Sequence, residues 1–188
     1  MDLGFSETVF VDDPMRGEIR VFTPAVGIPF ARHPMVGTAW LLHRERGGVP
    51  ILRPPAGEVP VRVSDEWTYA AGRPEWTPRF EFVRLDTPAD VEALAGSPRS
   101  DAEIGMWAWI DEEGGVVRER VFAEPFGIPE DEATGAAAIA LTARLGRSLD
   151  IRQGRGSRIL TRPLDDGMVE IAGRVVADGV REYRVPRS

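Results

Sequence analysis

Two short strings occur twice in this chain, in the same order. Arg20-Val21-Phe22 and Gly27-Ile28-Pro29 return as Arg120-Val121-Phe122 and Gly127-Ile128-Pro129. After the second string the register slips, and Val36-Gly37-Thr38-Ala39 falls against Thr134-Gly135-Ala136-Ala137. A β-branched strand, a Gly-Ile-Pro turn, a polar loop and a helix opening on small residues are therefore written twice, about one small domain apart. Two copies are too few for a solenoid, which needs about three or more repeats to bury a continuous core. The doubling predicts two similar half-molecules facing each other across a cleft.

The second copy, Gly127 to Leu141, is the more informative. Its small residues Ala133, Gly135, Ala136, Ala137 and Ala138 let another group approach the backbone closely. A helix start has free N–H groups and a positive dipole end, so it is suited to an anion. Asp131 stands just ahead of it, where a carboxylate can move a proton on whatever is held.

Taken in order, Glu7 to Val11 reads as a short strand ended by Asp12-Asp13-Pro14, with Gly17 to Thr23 as its antiparallel partner. Pro34 suits the first turn of a helix whose inner face is Met35, Thr38, Ala39 and Leu42, closed by the cations and glycines of Arg44 to Gly48. Short strands follow at Ile51-Leu52, Val59 to Val63 and Trp67 to Ala70, and Ala71 to Pro78 is the best candidate linker. Arg79 to Leu85 reads as a strand, and Pro88 to Leu94 as a short helix with Thr87 as its N-cap. Glu103 to Ile110 and Val116 to Phe122 flank Asp111-Glu112-Glu113-Gly114-Gly115, a hairpin signal. The central helix is expected from Ala133 to Leu145, with strands at Ser157 to Arg162, Met168 to Val176 and Val180 to Val185. The last two turns are Asp166-Gly167 and Asp178-Gly179. The sum is an α+β fold of mostly antiparallel strands, each half a sheet curled around a central helix. The halves are expected at residues 1–72 and 73–188, with the C-terminal strand free to cross back.

Composition narrows the chemistry. The chain has no cysteine, which excludes disulfides, thiolate nucleophiles and two-thiol racemase chemistry. His33 and His43 are its only histidines, too few for a multi-histidine metal site. A net charge of −7 offers no basic field for nucleic acid or an anionic membrane surface. Its apolar runs are far shorter than a membrane span, and the N-terminus has no basic leader, so the cytoplasm is the expected compartment.

Single residues leave two readings each. Glu7, opening a strand, is either a buried carboxyl with a raised pKa or a solvated strand-end acid. His33 in FARHP is a ligand contact or a surface loop residue, and Asp131 in PEDE is a catalytic acid or a partner of the helix dipole. Gln153 and Gly154 in RQGRG contact a ligand or merely turn the chain, and residues alone favour the turn. Trp107 and Trp109 fit a sheet face better than a stacking platform.

As a series, FSETVFV, RVFTP, PFARHPMVGTA, GIPEDEATGAAA and QGRGSRI resemble the phenazine-biosynthesis isomerase-like (PhzF) family, from Phe5 to about Ile171. The resemblance implies a diaminopimelate epimerase-like fold, with two similar α+β halves and the active site between them. It also implies cofactor-free and metal-free movement of a proton on a small carboxylated substrate. The family's proton-carrying Glu falls on Glu7, and its His and Asp, which hold or polarise the substrate, fall on His33 and Asp131. The backbone at Gly135 and Ala136 would receive the substrate carboxylate, with Arg32, Gln153 and Gly154 as further candidate contacts.

The chain departs from the family pattern at three site positions. Arg32 replaces the Gly before the His, Glu132 replaces the Pro after the Asp, and Ala136 replaces a Ser hydroxyl donor. The family also has a strand and a helix before the SET strand. Without them a sheet edge is expected to lie open, unless the first half is rebuilt or the start of the gene is not included, and a homodimer is expected to shield it. Three readings follow: a proton-moving isomerase, a degenerate relative that binds a small anion or a protein without turnover, and a purely structural module.

Overall fold

The computed structural model describes residues 7–23, 25–180 and 182. Strands β1 (Thr8–Asp13), β2 (Glu18–Phe22) and β3 (Gly27–Ile28) make a small antiparallel sheet in that order. The Asp13 carboxylate accepts from the N–H groups of Met15 and Arg16 and so closes the β1–β2 turn. Helix α1 (Arg32–Arg46) follows, with Pro34 in its first turn, where a missing N–H costs no helical hydrogen bond. Gly47, left-handed at φ 81°, ends it by donating to the His43 carbonyl, with Arg44 and Arg46 in the last turn.

The remaining strands are β4 (Ile51–Leu52), β5 (Val59–Ser64), β6 (Trp67–Gly72), β7 (Phe80–Arg84), β8 (Glu103–Asp111), β9 (Val116–Ala123), β10 (Ile128–Asp131), β11 (Leu149–Gln153), β12 (Ser157–Pro163) and β13 (Val169–Gly173). Two more helices, α2 (Pro88–Glu92) and α3 (Gly135–Leu145), complete the structure. Thr87 caps α2 through a reciprocal pair of bonds with Asp90.

All ten of these strands belong to one sheet, ordered β4-β5-β6-β13-β12-β11-β9-β8-β7, with β10 alongside β9. It is mixed: β11 runs parallel to β9 and β7 parallel to β8, and the other pairings are antiparallel. The join lies at β6 and β13, where Gly72 faces Val169 and Thr68 faces Gly173. The sequence suggested a sheet for each half. Instead β13 satisfies the open backbone groups of β6, and the strands of both regions run on as a single sheet.

The repeated strings form the same local unit in both places. Phe22 of β2 pairs with Gly27 of β3 ahead of α1, and Ala123 of β9 pairs with Ile128 of β10 ahead of α3. One core then gathers Met35, Ala39 and Leu42 of α1 and Ile139 and Leu141 of α3 against Val59, Ala70, Ile151, Ile159 and Ile171 of the sheet. Each such buried aliphatic side chain contributes about 1.5–3 kcal/mol. A smaller cluster of Ile104, Met106 and Phe122 is packed by Leu85 and Leu94.

Four sequence expectations need correction. Ala71 and Gly72 are not linker; they are buried residues of β6. Within the expected linker, Pro74–Trp76 makes a single 3-10 turn, which brings Trp76 edge-on to Phe30 at 5.2 Å. Strand β11 went unread because its inward Leu149, Ile151 and Gln153 include a polar residue in a run of only five. The strand expected over Met168 to Val176 stops at Gly173, and Val180 is fully exposed outside any strand. The rest of the strand expected to Val185 lies outside the described residues, apart from Glu182, which is not in a strand. Among the described residues no helix is long and apolar enough to cross a membrane.

Candidate active site

The opening residues of α1 and α3 face each other. A side chain at Gly135, the first residue of α3, would place its Cβ 2.9 Å from Arg32 Cβ and 3.2 Å from Ile171 Cδ1. Only glycine lets the two helix starts come this close. Beside them lies a cavity of about 450 Å³, bounded by His33, Val36 and Gly37 of α1, by Ala133 and Gly135 of the α3 entrance, and by β12, β13 and the residues after it. Its walls mix aliphatic groups such as Ile159 and Ile171 with the polar Ser157, Arg158 and Arg174. Both arginines are already engaged. Arg158 grips Asp150 through Nε at 3.0 Å and Nη2 at 2.8 Å, Arg174 pairs with Glu66 at 2.7 Å, and both stack on Trp67.

The structure brings Glu7 and His33 together. Glu7 Oε2 lies 3.0 Å from His33 Nε2, with the histidine side chain 59% exposed and the glutamate 18% exposed. The approach is close in distance but poorly aligned, so Glu7 Oε2 is buried without a hydrogen bond. An acid from the edge of β1 thus reaches a histidine that lines the cavity.

Asp131 makes no hydrogen bond or ion pair with either of them. Its carboxylate accepts from the Ala133 N–H at 3.3 Å and from the Thr134 hydroxyl at 2.7 Å. The loop is held further by Gln153, which is 1% exposed. Its Oε1 accepts from the Thr134 N–H at 3.0 Å, and its Nε2 donates to the Asp131 carbonyl and to Thr134 Oγ1, each at 2.8 Å. Gln153 is therefore neither the turn residue the sequence favoured nor open to a ligand. It ends β11, and its amide is spent on fixing the entrance to α3.

Gly154 makes the turn beyond it, at φ +55°. The Glu132 carboxylate lies where a Cβ of Gly154 would stand, and its Oε2 accepts from the Arg155 N–H at 2.8 Å. The last acid of PEDE thus faces the β11–β12 turn and leaves Asp131 as the acid at the helix start. Ala136 follows Gly135 in the first turn of α3 and brings no donor of its own.

Two charged groups stand out by their burial. Arg32 is 7% exposed, stacked 4.8 Å over the Phe30 ring, and its Nε and Nη2 have no hydrogen-bond partner. Burial lowers its pKa to about 10, against the opposing pull of Glu103. Glu103 is itself raised by burial and by the Asp131 charge, and lowered by Arg32. Glu119, which the sequence reading passed over, is fully buried with both carboxylate oxygens unpartnered. Desolvation pushes its pKa up to about 8, although the Arg118 charge opposes this. The signal for it was the alternation in β9: Val117 and Val121 point inward, and Glu119 falls between them in the same phase. Among the described residues, no three His, Asp or Glu side chains gather in a way that could hold a metal ion.

With this geometry in hand, the α+β fold matches solved structures of one class. The chain superposes on a phenazine biosynthesis PhzC/PhzF protein of Clostridium difficile with a TM-score of 0.74 and 18% identity, over 96% of this chain and 83% of the other. A PhzF-family phenazine biosynthesis protein of Bacillus anthracis gives 0.70 and 18%, over 92% and 82%. The chain belongs to the PhzC-PhzF phenazine biosynthesis-like protein family, whose model matches residues 1–104. It is also 32% identical to the trans-2,3-dihydro-3-hydroxyanthranilate isomerase of Pseudomonas chlororaphis, over 85% of this chain and 71% of that enzyme.

Proposed function

We propose that this protein is a cofactor-independent isomerase or epimerase that moves a proton between two positions of a small carboxylated molecule. The observation that carries the reading is the Glu7–His33 contact of 3.0 Å at the edge of a cavity that also reaches the start of α3. In this reading the Glu7 carboxylate removes a proton from one carbon of the substrate and returns it to another, so no electrons change hands. His33 donates to the developing negative charge. The N–H groups at Gly135 and Ala136 hold the substrate carboxylate, helped by the helix dipole, and Asp131 orders that helix start. Gln153 and Gly154 act through the loop and not on the substrate. The isomerase name carried by the Pseudomonas chlororaphis relative supports this class of reaction.

The architecture we infer is the diaminopimelate epimerase-like one, with a first half over residues 1–72 and a second over 73–188. The repeated strand, turn, strand and helix units support it. We also propose that the protein works as a homodimer. Strand β1 is a sheet edge with Phe10 51% and Val11 36% exposed, and a second copy of the chain would cover it.

The test is deuterium wash-in from heavy water across a panel of small carboxylic acids. Exchange that disappears in Glu7→Gln, which keeps the shape and loses the base, is the expected result. Equal exchange in both proteins would end the isomerase reading. A second reading, binding without turnover, is favoured by one feature: Arg32 crowds the seam where a close backbone approach would otherwise serve the substrate. Thermal stabilisation by an acid that shows no exchange would support that alternative.

A further inference from the structure

Arg32 presents a problem that the rest of the chain helps to solve. The two atoms left without partners, Nε and Nη2, are the pair that form the side-on fork of a guanidinium. Elsewhere in this protein that same fork is filled by a carboxylate. Arg20 uses Nε and Nη2 on Asp12, Arg62 uses them on Glu170, and Arg120 uses them on Glu130. Arg20 and Arg62 are about half exposed, and Arg120, at 14%, is largely buried yet still has its carboxylate. Arg32, at 7% exposure, has no carboxylate on its fork, and both fork atoms are closed off from solvent. A buried cation without a partner is costly.

Its position makes the cost greater. Arg32 is the first residue of α1, and its Cβ and Cδ lie against Gly135, the first residue of α3. The positive ends of both helices therefore converge on a positive side chain. One acid acts on it by charge, and a second, Asp131, acts on that acid. Glu103 interacts with Arg32 but makes no hydrogen bond to it, and Asp131 is committed to Ala133 and Thr134. Burial raises the Glu103 pKa, against the opposing pull of Arg32. What the place lacks is a planar anion with two acceptor oxygens.

We propose that the Arg32 fork receives the carboxylate of the ligand, taking both oxygens through Nε and Nη2, with the first N–H groups of α3 beside it. The proposal rests on the small-carboxylate reading above and gives it a specificity residue. It also accounts for the loss of a hydroxyl donor at Ala136, because two charged donors now stand within reach of the same helix start. Phe30 holds the guanidinium plane from one side, so the fork is preset and little side-chain entropy is lost on binding. Nε and Nη2 are closed off from solvent and Arg32 does not itself line the cavity, so binding requires the close contact between Arg32 and Gly135 to part.

Benzoate and its neutral isostere benzamide are the probes, titrated by calorimetry at matched ionic strength into the whole chain. Benzoate binding with benzamide at least tenfold weaker is the expected result, and Arg32→Gln should weaken benzoate roughly 10- to 100-fold. Arg32→Lys, which keeps charge but loses the fork, should recover only part of that loss. Unchanged benzoate affinity in Arg32→Gln, or equal binding of the two probes by the unaltered protein, would overturn the proposal. If Arg32→Gln does not fold, the Arg32 Nε–H resonance of ¹⁵N-arginine-labelled protein provides the readout. It should move on benzoate addition, and a resonance unmoved at saturation would also overturn the proposal. Failed isotope exchange alone would remove the isomerase reading and leave this site standing, whereas failed benzoate binding would do the reverse.

Discussion

Glu119 of β9 and Gln153 of β11 stand in register on adjacent parallel strands, both buried, and only Gln153 has its polar atoms satisfied. The glutamine spends its amide on the loop that opens α3, while the glutamate's Oε1 and the Phe82 ring both crowd the place where a Cβ of Gly105 would stand. The nearest cation, Arg118, bonds its guanidinium to Glu92 and to the backbone carbonyls of Glu119, Arg152 and Gly154.

A neutral, buried Glu119 makes stability fall as pH rises. With a folded pKa near 8 against an ordinary 4.5, the folded state holds a proton that the unfolded chain has already released. This contribution is fully present below pH 4.5 and is lost progressively as pH rises through about 8. Glu119→Gln keeps the neutral shape. Urea unfolding of the variant and the parent should agree at low pH. They should then diverge by about 1.4 kcal/mol per pH unit across the window, with the variant the more stable. A difference that does not vary with pH would refute this.

Gln153→Ala should loosen the start of α3. It removes the acceptor for the Thr134 N–H and the donor to the Asp131 carbonyl. Leaving such groups unpaired costs about 1–3 kcal/mol. Denaturant midpoints should fall accordingly, and amide hydrogen exchange should accelerate at Ala133 to Ala138 more than in α1.

Gly154→Ala is expected to cost about 1–2 kcal/mol from the left-handed backbone alone. It should cost more than that because the new methyl displaces the Glu132 carboxylate from the turn. The comparison with Glu132→Ala separates the two effects by thermal melting. The double variant should lose less than the sum of the single ones, since Glu132→Ala removes the carboxylate part of the clash and leaves only the 2.7 Å approach to the Glu132 carbonyl oxygen.

The open edge of β1 gives a prediction for association. Phe10→Glu adds a charge to an exposed aromatic position where Phe10 meets Phe22 edge-on at 5.5 Å. Sedimentation velocity at micromolar concentration should show a dimer for the parent and a monomer for the variant. A monomeric parent would remove the dimer proposal.

Much of the fold was legible because its signals are local. The repeated strings, the alternation in Glu103 to Ile110 and the small residues after Thr134 each depend on a few neighbours in the chain, and each element formed where its pattern lay. Family membership was legible for the same reason, since short motifs in a fixed order carry it. Strand β11 was not, because five residues with polar Gln153 facing inward look like a turn until a helix entrance is there to be bonded. Glu119 was missed although its phase was readable. Nothing in sequence separates an inward acid with a partner from one without.

By itself, the sequence determined the doubled unit, the α+β class of fold and the family. These follow from backbone preference and side-chain period, which act over a few residues. Only the tertiary structure decided that β6 and β13 close one sheet, that Glu7 reaches His33 while Asp131 turns to its own loop, and that Arg32 is buried with its fork empty. Those outcomes depend on which distant groups compete for the same hydrogen bonds and the same space, and that competition exists only once the chain has packed.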